Sequence, residues 1–189
     1  MNARKLDLHD LKAVFISHMH GDHTHGLLDL IDLMMILYKD INPEFWTPQS
    51  NTRDGIKAWL QVNHDDAMET LTDFNTITEG KFYDDGVVSV TAIRNKHLAQ
   101  RPSYSFEVIA EGKRIVLTGD MGRNGFDDFP ACAFDKHCDL VVCEGAHVKL
   151  TECEELFSRL DTDKLVLYHI SPKNIQSQIG RAVQQECRD

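Results

Sequence analysis

Six residues constrain this chain more than any others. His18-Met19-His20-Gly21-Asp22-His23 sets three imidazoles and a carboxylate in one short stretch. The run before it, Leu11 to Ser17 (LKAVFIS), is apolar enough for a short buried strand, and Leu27 to Tyr38 repeats its apolar residues at a helical period. The cluster is therefore expected on a strand-to-helix loop, where its side chains can converge without a regular element dictating their directions. Imidazole and carboxylate donors suit zinc, and also iron or manganese. The bland alternative is a polar loop with a chance cluster of histidines, and the density of ligand-type residues argues against it.

Four groups in one loop do not fill two coordination spheres, and the rest of the chain offers partners at strand ends. His97 follows the alternating run Val87 to Ile93. Asp120 closes Arg114-Ile115-Val116-Leu117-Thr118-Gly119-Asp120. His169 closes Lys164-Leu165-Val166-Leu167-Tyr168-His169. Each expected strand ends on one residue able to bind a metal.

This order of residues resembles the metallo-β-lactamase-fold hydrolase superfamily, whose pattern is His-x-His-x-Asp-His, a distant His, an Asp and a last His. The matching positions are His18, His20, Asp22, His23, His97, Asp120 and His169. The resemblance runs from about Leu11 onward. It implies a single α/β hydrolase domain over residues 1–189, an αββα sandwich of two packed mixed β-sheets with helices on the outer faces. Members of the superfamily usually carry a few strands before the His-rich loop. Only seventeen residues precede it here, so N-terminal strands are expected to be missing.

The other elements are read from pattern. The dense apolar stretch Leu27 to Leu37 suggests a largely buried helix with Met34 and Met35 as core filler, and His25 either supports the metal shell or merely begins that helix. Glu44 to Thr47 reads as a strand closed by Pro48. A helix capped by Ser50 or Asn51 runs through Leu60, and another covers Asp65 to Leu71, with His64 solvated between them. Phe74 to Thr78 and Val87 to Arg94 read as strands joined by a turn at Tyr83-Asp84-Asp85-Gly86. A hairpin follows from Ser103, turning at Glu111-Gly112-Lys113. The segment Gly122 to Cys138 is too polar and irregular to assign. Beyond it lie a strand at Leu140 to Cys143, a helix at Glu152 to Leu160, a strand at Leu165 to Tyr168, and a helix from Pro172 toward Val183.

Composition narrows the function classes. At 189 residues the chain can bury a sizeable core, and 42% hydrophobic with 26% charged residues is ordinary for a globular protein. No apolar run reaches membrane-spanning length and no secretory leader is visible. The five cysteines lack a tight CxxC pair, which fits reduced thiols and a cytoplasmic location. A formal net charge of −10 disfavours generic nucleic-acid binding.

The resemblance also implies a mechanism. His18, His20 and His97 would hold one divalent ion, Asp22, His23 and His169 a second, and Asp120 would bridge them. Zinc is the expected metal, with manganese or iron as alternatives, and a bridging water would become the hydroxide nucleophile. No serine or cysteine nucleophile motif is present. The runs Pro102 to Glu107 and Val142 to Ala146 resemble the ribonuclease Z and phosphodiesterase branch. In that branch the Glu corresponding to Glu144 supports a catalytic His from a His-Ser-Thr motif. This chain lacks that motif, which leaves His147 as the candidate proton donor; His137 is the weaker choice, with Asp22 or a metal-bound water as fallbacks. The long basic arm of tRNA-processing members is absent from the interval Leu98 to Gly119, so a small phosphodiester is expected rather than RNA. Other readings are a lactone, thioester or β-lactam acyl hydrolase, a tRNA 3′-processing endonuclease, a diiron redox protein and a non-catalytic metal-binding protein. Asp at position 120 argues against an antibiotic lactamase. His rather than Glu at position 20 argues against the diiron proteins. A homodimer is expected if the shortened start leaves a sheet edge or apolar face uncovered.

Overall fold

A computed structural model describes residues 7–63, 74–122 and 125–175. The chain divides into two compact units, Met1–Ile77 and Thr78–Asp189.

In the first unit β1 (Ala13–Phe15), β2 (Glu44–Thr47) and β3 (Phe74–Thr76) pair in that order, and every pairing is parallel. The pairings described in this sheet are thus all parallel. Parallel neighbours need long crossovers, and two helices lie within them, α1 (Gly21–Leu37) and α2 (Thr52–Asn63). Helix α1 buries Leu27, Ile31 and Met34 along one stripe, and α2 contributes Ile56 and Leu60 four residues apart; both pack with Ile16 and Phe45 in one cluster. Phe45 stacks on Phe74 across the β2–β3 pair, with ring centroids 4.9 Å apart. Helix α1 is one-sided rather than largely buried: Ile36 and Leu37 are 53% and 67% exposed. Met34 is a core residue as expected. The expected helix at Asp65 to Leu71, with His64, lies outside the described residues.

In the second unit six strands pair in chain order: β4 (Gly80–Asp84), β5 (Val88–Arg94), β6 (Tyr104–Ala110), β7 (Lys113–Leu117), β8 (Leu140–Glu144) and β9 (Leu165–Tyr168). The first four form an antiparallel meander, and β7, β8 and β9 run parallel, so this sheet is mixed. The partner of β5 is β4, whereas the expected partner, Phe74 to Thr78, supplies β3 to the other sheet. The turn chemistry explains the outcome. Asp84 accepts the N–H of Gly86, Asp85 accepts those of Val87 and Val88, and Gly86 takes a φ of +84° that only glycine adopts freely. That turn sits one residue later than expected and closes on a short strand with little alternation of its own.

The segment left unassigned holds a 3₁₀ turn at Gly125–Asp128 and the short α3 (Cys132–Asp135). It is tied to the sheet by Arg114, which pairs with Glu107 at 2.7 Å and donates to the carbonyls of Cys132 and Lys136. The expected helix at 152–160 is shorter and broken, a 3₁₀ turn at Leu150–Glu152 and then α4 (Glu154–Ser158). Helix α5 is described at Pro172–Ile175, and its continuation toward Val183 lies outside the described residues. The core of this unit gathers Val116, Val141, Cys143 and Leu167 from three adjacent strands with Leu150, Cys153 and Leu156. Burying each such aliphatic side chain contributes about 1.5–3 kcal/mol. Among the described residues no helix is long and apolar enough to cross a membrane.

Candidate metal centre

In the first unit the His-rich stretch departs from the expected loop. His18 lies between β1 and α1, but His20 is the N-cap of α1, and Asp22 and His23 are already in its first turn. The helix thus sets the directions of two candidate ligands. An acidic residue in the first turn, Asp22, suits the helix dipole there, and Thr24 Oγ1 donates back to the His20 carbonyl at 3.0 Å. A Cβ at Gly21 would stand 3.1 Å from His25 Nε2. His25 is exposed, and its ring lies against Gly21.

His18 is fully buried. Its Nδ1 lies 3.2 Å from Ser17 Oγ, and its Nε2 is 3.1 Å from His20 Nδ1. The His23 ring sits 4.2 Å from that of His18, and His23 Nε2 is 3.6 Å from Asp22 Oδ2. Three imidazoles and a carboxylate are gathered as the sequence indicated, His18 inside and His20 and Asp22 exposed.

In the second unit topology does the gathering. Strands β5, β7, β8 and β9 all run in one sense, because two antiparallel steps separate β5 from β7 and the last three are parallel. Their C-terminal ends share one sheet edge, where open α/β sheets commonly place ligands. His97 follows β5, Asp120 follows β7, Glu144 ends β8 with His147 just beyond, and His169 follows β9. Asp120 is 1% exposed. Its Oδ2 lies 3.7 Å from His97 Nε2 and 3.6 Å from His147 Nδ1, and its Oδ1 lies 3.2 Å from His169 Nδ1. Asp120, His147 and His169 each place a ligand-type atom within 4.8 Å of the others. A carboxylate this buried needs a compensating cation. Imidazole nitrogens and carboxylate oxygens together form a donor set that suits a divalent ion.

Supporting contacts orient these groups. His97 Nδ1 lies 3.2 Å from the Met121 carbonyl; as the donor there, it leaves the ring's lone pair on Nε2, the nitrogen facing Asp120. Glu144, fully buried, accepts backbone N–H groups from Met121 (3.1 Å), Ala146 (2.5 Å) and His147 (2.9 Å), and its Oε1 stands 3.3 Å from His147 Nδ1. Asp128 accepts the N–H of Lys96 at 2.8 Å and that of Gly122 at 2.6 Å, tying the segment before His97 to the segment after Asp120. A Cβ at Gly122 would meet Asp128 and the Lys96 carbonyl at 3.3 Å, so the clamp explains that glycine. Asn95, buried, accepts the His97 N–H through Oδ1. Asn95 and Asp128 were not anticipated; the only trace of the clamp in the sequence is a glycine two residues after Asp120. His169 adopts φ +50°, the left-handed region. Tyr168 beside it has its phenol held well above the usual range by burial, with the carboxylates of Asp120 and Glu144 adding to the effect.

Other candidates are placed elsewhere. His137 is a surface residue paired with Asp161 at 2.9 Å and Asp163 at 3.4 Å, and the hydrogen bond to Asp161 raises its pKa. The described cysteines are all free thiols, three of them buried. Burial pushes Cys132 and Cys153 up to about 11 and Cys143 higher still, so none is a thiolate nucleophile at neutral pH.

A family model described as "Beta-lactamase superfamily domain" matches residues 1–170. Zinc phosphodiesterase ELAC protein 2 of Gorilla gorilla gorilla is 37% identical over 65 residues, 32% of this chain and 7% of its own length. Ribonuclease BN of Salmonella paratyphi B is 31% identical over 111 residues, 57% of this chain and 34% of its own length. The matches thus span about a third or less of these curated relatives. The crystal structure of human tRNase Z, short form, superposes with a TM-score of 0.61 at 22% identity, covering 89% of this chain and 76% of that one, a likeness of fold.

Proposed function

This chain belongs to the β-lactamase superfamily, and from that footing we propose that it is a dinuclear metal-dependent hydrolase of phosphodiesters. The observation that carries the reading is the buried Asp120 carboxylate, approached within 4 Å by nitrogens of His97, His147 and His169. By the family pattern His18, His20 and His97 would hold one ion, Asp22, His23 and His169 the other, and Asp120 would give one oxygen to each. When bound, two divalent ions, zinc on these donors or else manganese or iron, supply an acidified water and Lewis acidity toward the phosphoryl oxygens.

The protein's own groups supply orientation and the proton. Hydrogen bonding of His97 Nδ1 to the Met121 carbonyl holds Nε2 in its ligand role. Glu144, fixed by three backbone N–H groups, stands beside His147 Nδ1 and positions that ring. His147 then donates a proton to the departing oxygen. The thiols stay neutral, which supports attack by water rather than by a covalent nucleophile.

A second reading, cleavage of an RNA phosphodiester, is favoured by the names of the relatives, a ribonuclease BN and a tRNase Z. The acidic balance of the chain, net −10, favours the smaller substrate. The test is metal analysis of protein purified without chelator, with hydrolysis of bis-p-nitrophenyl phosphate compared against a lactone, a thioester and a short RNA. Metal-dependent turnover of the phosphodiester is expected. Turnover of the lactone or thioester alone would assign an acyl hydrolase instead.

A further inference from the structure

Within the first unit a cleft of about 310 Å³ lies between α1 and α2, in the size range of small-molecule sites. Met19, Leu28, Ile56 and Trp59 supply apolar walls. Trp59 is 41% exposed, an unusual placement for a large indole beside an aliphatic floor. Gly55 also lines the cleft, and a Cβ there would meet nothing within 4 Å, so the face of α2 is bare at that point. Polar character comes from Gln49 and Asn51, whose amides each offer both a donor and an acceptor. The two threonine hydroxyls of the lining already donate to backbone carbonyls, Thr24 to His20 at 3.0 Å and Thr52 to Gln49 at 2.8 Å. Among the described residues no charged side chain lines the cleft.

A ligand matched to this lining is neutral, flat and polar at one edge. A phosphate or carboxylate would find no cation here, and a plain alkyl chain would leave the amides unused. The position is equally telling. Met19 sits between His18 and His20, and Thr24 directly follows His23, so the cleft adjoins the stretch carrying four proposed metal ligands.

We propose that this cleft is a subsite for the nucleobase of a nucleotide phosphodiester, stacked on Trp59 and read at its edge by Gln49 and Asn51. The proposal rests on the phosphodiesterase reading for the rest of the substrate, and it makes that substrate a small nucleotide diester.

The test compares the p-nitrophenyl ester of thymidine 5′-phosphate with methyl p-nitrophenyl phosphate on the metal-loaded full chain. The two share a leaving group and differ in the nucleoside. The nucleoside ester is expected to have a kcat/KM roughly tenfold or more higher, the scale of one base–aromatic stack. Trp59→Ala and Gly55→Leu should collapse that ratio to about one. A Cβ at position 55 meets nothing within 4 Å, so Gly55→Leu adds bulk at the cleft lining from an open position and keeps the test sound if Trp59→Ala fails to fold. Separately, titration with thymidine, followed by calorimetry, should show binding to the wild type and none to Gly55→Leu. Equal kcat/KM for the two esters in the wild type, or a preference surviving Gly55→Leu, overturns the subsite, as does absence of thymidine binding. If neither ester is hydrolysed but thymidine binds and Gly55→Leu abolishes it, the phosphodiesterase reading fails and the subsite stands.

Discussion

Glu144 holds His147 from two directions: its Oε2 accepts the His147 backbone N–H at 2.9 Å, and its Oε1 stands 3.3 Å from Nδ1 of the same residue. One carboxylate thereby sets both the turn that carries the imidazole and the ring itself. If His147 is the proton donor, its removal should matter in proportion to the basicity of the leaving group. His147→Ala is expected to slow an alkyl phosphodiester by ~10²–10⁴-fold while largely sparing a p-nitrophenyl ester, whose phenolate departs unprotonated. Parallel kcat measurements on the two esters decide it, and equal losses would remove His147 from that role.

Asp120→Ala should abolish turnover with the fold kept. Losing a group that only supports a ligand costs ~10–100-fold, and a proposed bridge should cost more. Zinc content should fall with activity, as read by elemental analysis beside circular dichroism. Wild-type turnover in this variant would rule out Asp120 as the bridge.

Asp128 makes a quieter prediction. It touches no proposed ligand side chain, yet it joins the N–H of Lys96 to that of Gly122. Asp128→Ala should weaken zinc binding by roughly 10–100-fold, the usual scale for supporting groups, with Asp128→Asn intermediate. Competition against a chromophoric chelator measures it. An unchanged zinc affinity alongside lowered thermal stability would make the clamp purely structural.

Two of the thiols, one half-buried and one buried, give a pH signature. Cys132 and Cys153 ionise near 9.0 when unfolded and at about 11 in the folded chain, chiefly through burial. Their folded pKa is raised, so their contribution to stability is intact below pH 9 and is lost as pH rises from about 9 toward 11. Thiol-specific alkylation of the native protein should accordingly be slow at pH 8 and speed up steeply only near pH 11. Rapid alkylation of both at pH 8 would contradict the burial.

Much of the candidate site's placement was legible because its residues sit where strands end. His97, Asp120 and His169 each follow an apolar or alternating run, and a common strand sense carries them to one edge. The start of α1 was misread because apolar periodicity begins only at Leu27, while Asp22 and His23 are helical for a reason periodicity does not register, favourable charge in a first turn. The β4–β5 hairpin was misassigned because β4 is short and nearly patternless. Asn95 and Asp128 escaped notice because a carboxylate or amide in a polar loop shows its partners only once the chain is folded.

The backbone at His169 has a consequence for anyone wishing to change the metal. Of the seven proposed ligands, it alone has a positive φ, +50°. That region admits Asn, Asp and His far more readily than β-branched residues. An oxygen donor that shifts preference toward harder ions can therefore be installed as His169→Asp with little backbone cost. Threonine or valine at the same position would damage the loop as well as the ligand, and the two losses would be hard to separate. Ligand-exchange series on this chain are cleanest when position 169 is varied only among residues that tolerate a left-handed turn.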